Sequence, residues 1–139
     1  MKKLITLLLA LVLSLGLTAC GETGPTTYYA THETLRYNNE TIAEHDIDVD
    51  DIFFVLDGTA AELHYKGQVF TAHRENKNSL TLEWDENPML IDDAVFSYSG
   101  LHSCKTNNKP DGYELDLNYI YYYQGVNADV TIRFRLQER

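Results

Sequence analysis

The fold is decided by the stretch YELDLNYIYYY, Tyr113–Tyr123, together with the segment Val130–Leu136 that follows it. In both segments apolar or aromatic side chains alternate with side chains that are mostly polar. Alternation with a period of two is typical of a β-strand that has one face on a core and the other in water. The two segments therefore predict a C-terminal antiparallel hairpin, and with it an all-β fold.

The register of this hairpin depends on the length of its loop. If the loop is Gly125–Ala128, Tyr123 lies opposite Val130 on the core side of the sheet. On the outer side, Asp116 then reaches Arg135 diagonally and forms a surface ion pair worth about 0.2–1 kcal/mol.

Outward from this hairpin, a second one is predicted within Ala60–Ala72 by the turn pair Lys66-Gly67. A two-residue turn fixes which side chains share a face. One face is then apolar (Leu63, Tyr65, Phe70 and Ala72) and the other polar (Glu62, His64, Thr71 and His73).

The remaining strand candidates are bounded by Asn, Asp, Gly and Pro residues. They are Tyr28–Tyr37, Ile52–Leu56, Leu80–Trp84 and Ala94–Ser99. Glu40–Asp51 fits either a short helical turn or a strand, and Ser103–Gly112 predicts a polar loop. About eight short strands with little room for helix predict a single small antiparallel β-barrel or meander sandwich.

The N-terminus has the pattern of a secretion signal. Lys2 and Lys3 precede the apolar run Leu4–Leu17, which is shorter than the roughly 20 residues of a membrane-spanning helix. The run closes on Leu17-Thr18-Ala19-Cys20, which resembles the lipobox of bacterial lipoproteins. The resemblance implies removal of residues 1–19, fatty acylation of Cys20, and attachment to the extracytoplasmic face of the cell membrane.

Cleavage would leave a tether over residues 20–27 and one all-β domain over residues 28–139. The whole chain has a formal net charge of −10, and loss of Lys2 and Lys3 makes it −12. Such a surface repels nucleic acid and anionic lipid headgroups, so membrane attachment would depend on the acyl chains. The acidity also favours the solubility of an exported domain without implying any partner.

A second resemblance concerns the middle of the chain. Asp51–Thr59, a strand, Gly67, a further strand and Ser79–Trp84 are similar to the small lipocalin-like domains of exported bacterial lipoproteins. Those domains wind as meander barrels. The resemblance implies a lipocalin-like barrel with an interior that can hold a ligand.

Two groups of aromatic and apolar residues are candidates for binding. The inward-facing group either lines a cavity for an amphipathic ligand or fills the barrel outright; it comprises Tyr65, Phe70, Trp84, Tyr119, Tyr121 and Tyr123. Ile120 and Tyr122 lie on the face that should be in water. They are either covered by Glu40–Asp51 or form a patch for a partner.

The sequence contains no motif for nucleophilic, phosphate-binding or metalloprotease chemistry, so it predicts neither an enzyme nor a cofactor. Asp46–Asp51 lacks the glycine and glutamate of a calcium loop. Glu62, His64 and His73 share a strand face that could hold zinc, but a solvated face is the simpler interpretation. Cys104 is interpreted as a spare thiol.

These observations predict a lipid-anchored, non-enzymatic binding module outside the cytoplasm. The alternative is an envelope protein-interaction or inhibitor domain that uses its outer surface.

Overall fold

A computed structural model describes residues 24–107 and 109–139, and over these residues the chain is all-β. The proposed signal peptide at residues 1–19, the lipid attachment site Cys20 and the first residues of the tether lie outside the described part. No helix in the described part is long and apolar enough to cross a membrane.

Nine strands of the described chain form one antiparallel sheet that curls into a half-barrel, which confirms the predicted fold class. The order across the sheet is β6-β5-β4-β3-β1-β9-β8-β7, and β2 pairs with β1. The strands are β1 (Thr26–Tyr37), β2 (Glu40–Asp46), β3 (Ile52–Asp57), β4 (Ala60–Tyr65), β5 (Gln68–His73), β6 (Glu83–Trp84), β7 (Ala94–Thr106), β8 (Lys109–Tyr123) and β9 (Val126–Glu138).

Strand β1 is the centre of the sheet. One edge pairs with β9, and the other edge is shared by β3, which takes Thr26–Tyr29, and β2, which takes His32–Tyr37. Of the ambiguous segment Glu40–Asp51, the first part (Glu40–Asp46) is therefore a strand, and residues 47–51 are not. The sheet begins at Thr26, two residues before the start expected from the sequence.

The inner face of the sheet carries the core. Along most strands every second residue is apolar and points inward, which is the alternation seen in the sequence, whereas β2 is exposed along its whole length. Burying each large side chain contributes about 1.5–3 kcal/mol. The most deeply buried residues are Ala30, Phe54, Leu63, Leu101, Leu115, Leu117, Phe134 and Leu136.

The Lys66-Gly67 hairpin is confirmed, with Leu63 opposite Phe70. Both turn residues have positive φ, as a type I′ hairpin turn requires. In the next candidate strand, Leu82 is buried as expected, but Leu80 is exposed. Only two residues of that candidate form a regular strand.

The predicted register of the C-terminal hairpin is wrong. Its turn is the two-residue pair Gln124-Gly125, both with positive φ, so Tyr123 lies opposite Val126 and not opposite Val130. The shift along β9 is four residues. Because four is even, every side chain keeps its predicted face although it meets a different neighbour.

The predicted polar loop at Ser103–Gly112 is also wrong. β7 continues to Thr106 and β8 starts at Lys109, so most of this segment is a strand pair. Ser103 and Lys105 are exposed, and polar side chains are compatible with a strand pair that has one face in water. The register shifts between Cys104 and Lys105, where the ladder has an irregularity.

The two ends of the sheet meet along a seam formed by residues 80–84. On one side Trp84 pairs with Ala72 of β5, and on the other Thr81 forms an isolated bridge with Gly100 of β7. The Trp84 indole Nε1 also donates a hydrogen bond to Ser99 Oγ at 2.7 Å. These contacts connect the two edges of the curled sheet.

Candidate functional site

A bulge in β1 decides which of its side chains face outward. The register with β9 shifts between Ala30 and His32, which leaves Thr31 as an extra residue. Ala30 is fully buried, and so in a regular strand His32 would face the core with it. The bulge instead places His32, Thr34 and Arg36 on the outer face.

Polar residues then form rows across the outer face of five neighbouring strands. The registers align Asp46, His32, Arg135, Glu114 and His102 in one row. The next row contains Glu44, Thr34, Arg133, Asp116 and Gly100. Side chains in one row are direct cross-strand neighbours and can pair.

Over β2, β1, β9 and β8, side chains of these two rows together with Arg36 and Thr41 enclose an open groove with a volume of about 370 Å³. We call it the arginine groove. A small residue, Thr34, lies at its centre between longer side chains, which leaves room above the sheet. Its lining residues are His32, Thr34, Arg36, Thr41, Glu44, Glu114, Arg133 and Arg135.

The charge of Arg133 is balanced within the protein. Its Nε and Nη2 donate to the two carboxylate oxygens of Asp116 at 2.7 and 2.8 Å. These hydrogen bonds raise the pKa of the Arg133 guanidinium above its usual value. The diagonal Asp116–Arg135 pair expected from the sequence is therefore wrong, because the shorter turn brings Asp116 opposite Arg133.

Arg135 and Arg36 have fewer hydrogen-bond partners than Arg133. Arg135 Nη2 lies 3.7 Å from Glu114 Oε1, and its guanidinium makes no hydrogen bond to the described residues. Arg36 Nη2 donates to the Asn39 carbonyl oxygen at 2.8 Å. Because a guanidinium carries five N–H donors, both side chains keep most of their donors available to a ligand.

His32, which also lines the groove, has one unsatisfied ring nitrogen. Its Nε2 lies 2.7 Å from Asp46 Oδ1, and its Nδ1 is buried with no hydrogen-bond partner in the described chain. An ionised carboxylate only accepts hydrogen bonds, so Nε2 carries the hydrogen. In the neutral ring, Nδ1 is then an acceptor without a donor.

The six aromatic residues predicted to face inward differ in exposure. Tyr119 is only 1% exposed, and its hydroxyl donates to the Pro88 carbonyl oxygen at 2.5 Å. Burial raises the pKa of Tyr119 to about 12. Tyr123 is 60% exposed at the hairpin end and stacks on Tyr121. The others pack against the core as partly buried side chains: Tyr65, Phe70, Trp84 and Tyr121. That this group lines a ligand cavity stays a prediction.

The outward pair Ile120 and Tyr122 is exposed, Tyr122 to 65%. Val95, also exposed, lies opposite Ile120 on β7. Glu40–Asp46 does not reach these residues, because β2 pairs with β1 and is separated from β8 by β1 and β9.

The polar face of the Lys66-Gly67 hairpin does not bring its two histidines to one point. His64 Nε2 lies 2.9 Å from Glu62 Oε2, whereas His73 Nε2 lies 3.0 Å from Glu83 Oε2 on β6. Over residues 24–107 and 109–139, no group of three or more His, Cys, Asp or Glu side chains could hold a metal ion. Cys104 is a half-buried free thiol.

The sequence interpretation missed the arginine groove. Its one available signal was the spacing of Arg133 and Arg135, which places both on the outer face of the last strand. The contribution of β1 depends on the bulge at Thr31, which has no glycine or proline to mark it.

Comparison of the chain with protein-family models, with curated proteins and with solved structures gives no match.

Proposed function

We propose that this protein is a lipid-anchored binding module on the extracytoplasmic face of the cell membrane, without enzymatic activity. The observation that carries the proposal is Leu17-Thr18-Ala19-Cys20 at the end of an apolar run preceded by two lysines. The sheet begins at Thr26, six residues after Cys20. The acylated residue would therefore hold the domain close to the membrane.

The direction of β1 indicates how such a domain would stand. Thr26 is at one end of the strand, while Tyr37 is at the other and lies beside Val130 near the β8–β9 turn. At roughly 3.3 Å per residue the two ends are about 35 Å apart. The arginine groove lies along the second half of β1. It would thus face the aqueous side, away from the lipid.

Attachment is tested by expressing the full chain with a clickable palmitate analogue and separating membranes from the soluble fraction. We expect label and membrane association in the parent chain, and loss of both in Cys20→Ser. Cys104→Ser is the matched control, because it removes the other cysteine and should keep the label. Membrane association of Cys20→Ser through an intact N-terminus would contradict the proposal.

The second candidate function is that of an interaction or inhibitor domain for another envelope protein. It is favoured by the exposed surface of Val95, Ile120 and Tyr122, which lies toward the β8–β9 turn. This end of the sheet is remote from Thr26. An apolar patch held away from the anchored end is better placed for an envelope protein than for lipid.

A photo-crosslinking amino acid at position 122 tests this second function in intact cells. We expect one discrete crosslinked product, lost when Ile120 is changed to Ser. The same amino acid at the exposed position of Thr59 is the control. If position 122 gives no more product than the control, the patch is not an interface.

A further inference from the structure

We propose that the arginine groove binds a small acidic sugar, with the oxyanion held by Arg36 and Arg135 and the hydroxyl groups held by Glu44 and Glu114. The inference deepens the proposed binding function, since it assigns a ligand class to that function. It depends on residues of the outer face and not on the aromatic interior.

The first step of the argument is the available positive charge. In a chain of net charge −10, three arginines line one groove. Arg133 is neutralised by Asp116, but Arg135 has only a carboxylate contact at 3.7 Å and Arg36 a single hydrogen bond to a backbone carbonyl. Guanidinium groups with free N–H donors in a fork recognise carboxylate and phosphate oxygens.

The second step is the presence of acceptors in the same groove. Glu44 and Glu114 line it, and Glu114 contacts the two β9 arginines only at 3.7–3.8 Å. A bare anion would be repelled by these carboxylates. A ligand that also carries hydroxyl groups would instead donate hydrogen bonds to them.

The third step is size. The groove volume of about 370 Å³ lies within the range of sites for small organic ligands and is larger than a single oxyanion needs. The residues that line it are polar, with Thr34 and Thr41 adding hydroxyl groups between the charged side chains. A ligand that has an oxyanion for the arginines, hydroxyl groups for the carboxylates and a size that fits the groove is a sugar acid.

The test is isothermal titration of the full processed protein in detergent with glucuronate, glucose and inorganic phosphate. We expect glucuronate to bind at least tenfold more tightly than the other two, because only it offers both the oxyanion and the hydroxyls. Arg135→Gln should weaken glucuronate binding at least tenfold. Arg139→Gln is the control, since Arg139 pairs with Asp50 and does not line the groove.

Arg135 is 46% exposed and makes no short hydrogen bond, so its replacement should leave the fold intact, which the emission of Trp84 checks. As a second variant, Glu44→Gln should reduce the preference for glucuronate over acetate. Digalacturonate tests whether the ligand is a free sugar acid or one unit of a glycan. If digalacturonate binds more tightly than glucuronate, the ligand is a glycan. If it binds equally or more weakly, the ligand is the free acid.

Absence of glucuronate binding, or binding unchanged in Arg135→Gln, would overturn the inference. Lipid attachment is measured on the same preparations. If the protein is lipidated but binds no sugar acid, only the sugar-acid inference is contradicted. If it binds the sugar acid but carries no lipid on Cys20, only the proposed membrane attachment is contradicted.

Discussion

Arg133 and Asp116 lie directly opposite each other on β9 and β8, joined by two parallel hydrogen bonds of 2.7 and 2.8 Å. Asp116 is only 8% exposed. Replacing it with Ala would leave a half-buried guanidinium without its partner. We expect Asp116→Ala to lower the free energy of unfolding by about 2 kcal/mol in urea denaturation.

Glu114→Ala is the matched comparison, because Glu114 contacts the same strand only at 3.7–3.8 Å. Long, partly exposed ion pairs contribute little, so this variant should stay within about 0.5 kcal/mol of the parent. If Asp116→Ala and Glu114→Ala lower the free energy of unfolding equally, the bidentate Arg133–Asp116 pair contributes no more to stability than a long ion pair.

Gly112 is expected to tolerate no side chain. Its φ is +155°, and a Cβ added there would lie 1.9 Å from the backbone oxygen of Leu136 on the paired strand. Because the obstacle is backbone, the ladder between β8 and β9 must shift. We expect Gly112→Ala to cost at least about 2 kcal/mol or to prevent folding. Gly24→Ala, where no atom lies within 4 Å, should leave the melting temperature unchanged.

Tyr119 gives a prediction for alkaline pH. Its pKa is raised from the ordinary value of 10.0 to about 12 by burial. The unfolded chain therefore loses this proton at lower pH than the folded protein does. The associated stability is complete below pH 10 and is lost as the pH rises toward 12.

Urea denaturation across that pH range, with Tyr119→Phe beside the parent, measures the effect. The variant should show a shallower loss of stability. Tyr28, whose pKa burial also raises, would supply part of the remaining slope. Tyr122→Phe, at an exposed position, is the control. Identical slopes in parent and Tyr119→Phe would show that the phenol is not sealed from water.

Ser99 is predicted to hold the seam through the only tryptophan of the chain. Ser99→Ala leaves the indole N–H of Trp84 without its acceptor, which costs about 1–3 kcal/mol if the site stays dry. We expect a lower melting temperature and a shift in tryptophan emission. Ser97→Ala, at an exposed serine on the same strand, should change neither. If Ser99→Ala and Ser97→Ala give the same tryptophan emission, the seam does not depend on this hydrogen bond.

The alternation of residues was sufficient to predict the sheet and the faces of its strands. Leu115, Leu117, Phe134 and Leu136 are buried as their spacing requires. The register was not predictable in the same way. Gln124 is not a residue that favours positive φ, so the turn before Gly125 carries none of the usual Asn-Gly or Asp-Gly signal.

The candidate site was less accessible to sequence reasoning because it depends on two irregularities together. The bulge at Thr31 turns Arg36 outward, and the short β8–β9 turn brings Asp116 to Arg133 and leaves Arg135 open. Neither the bulge nor the short turn follows from the local conformational preferences of its residues. Both are set by pairing with strands distant in sequence, which a pattern within one segment does not record.

The seam has a consequence for how the molecule opens. In the described chain, β7 is joined to the far side of the sheet by the isolated bridge Thr81–Gly100 and the Trp84–Ser99 hydrogen bond, whereas β1, β9 and β8 are joined by long ladders. The Leu101 amide, bonded to the Leu80 oxygen, should therefore exchange its hydrogen with deuterium sooner than amides in the middle of β9. We therefore expect the two edges of the sheet to separate at the seam before the longest strands lose their pairing.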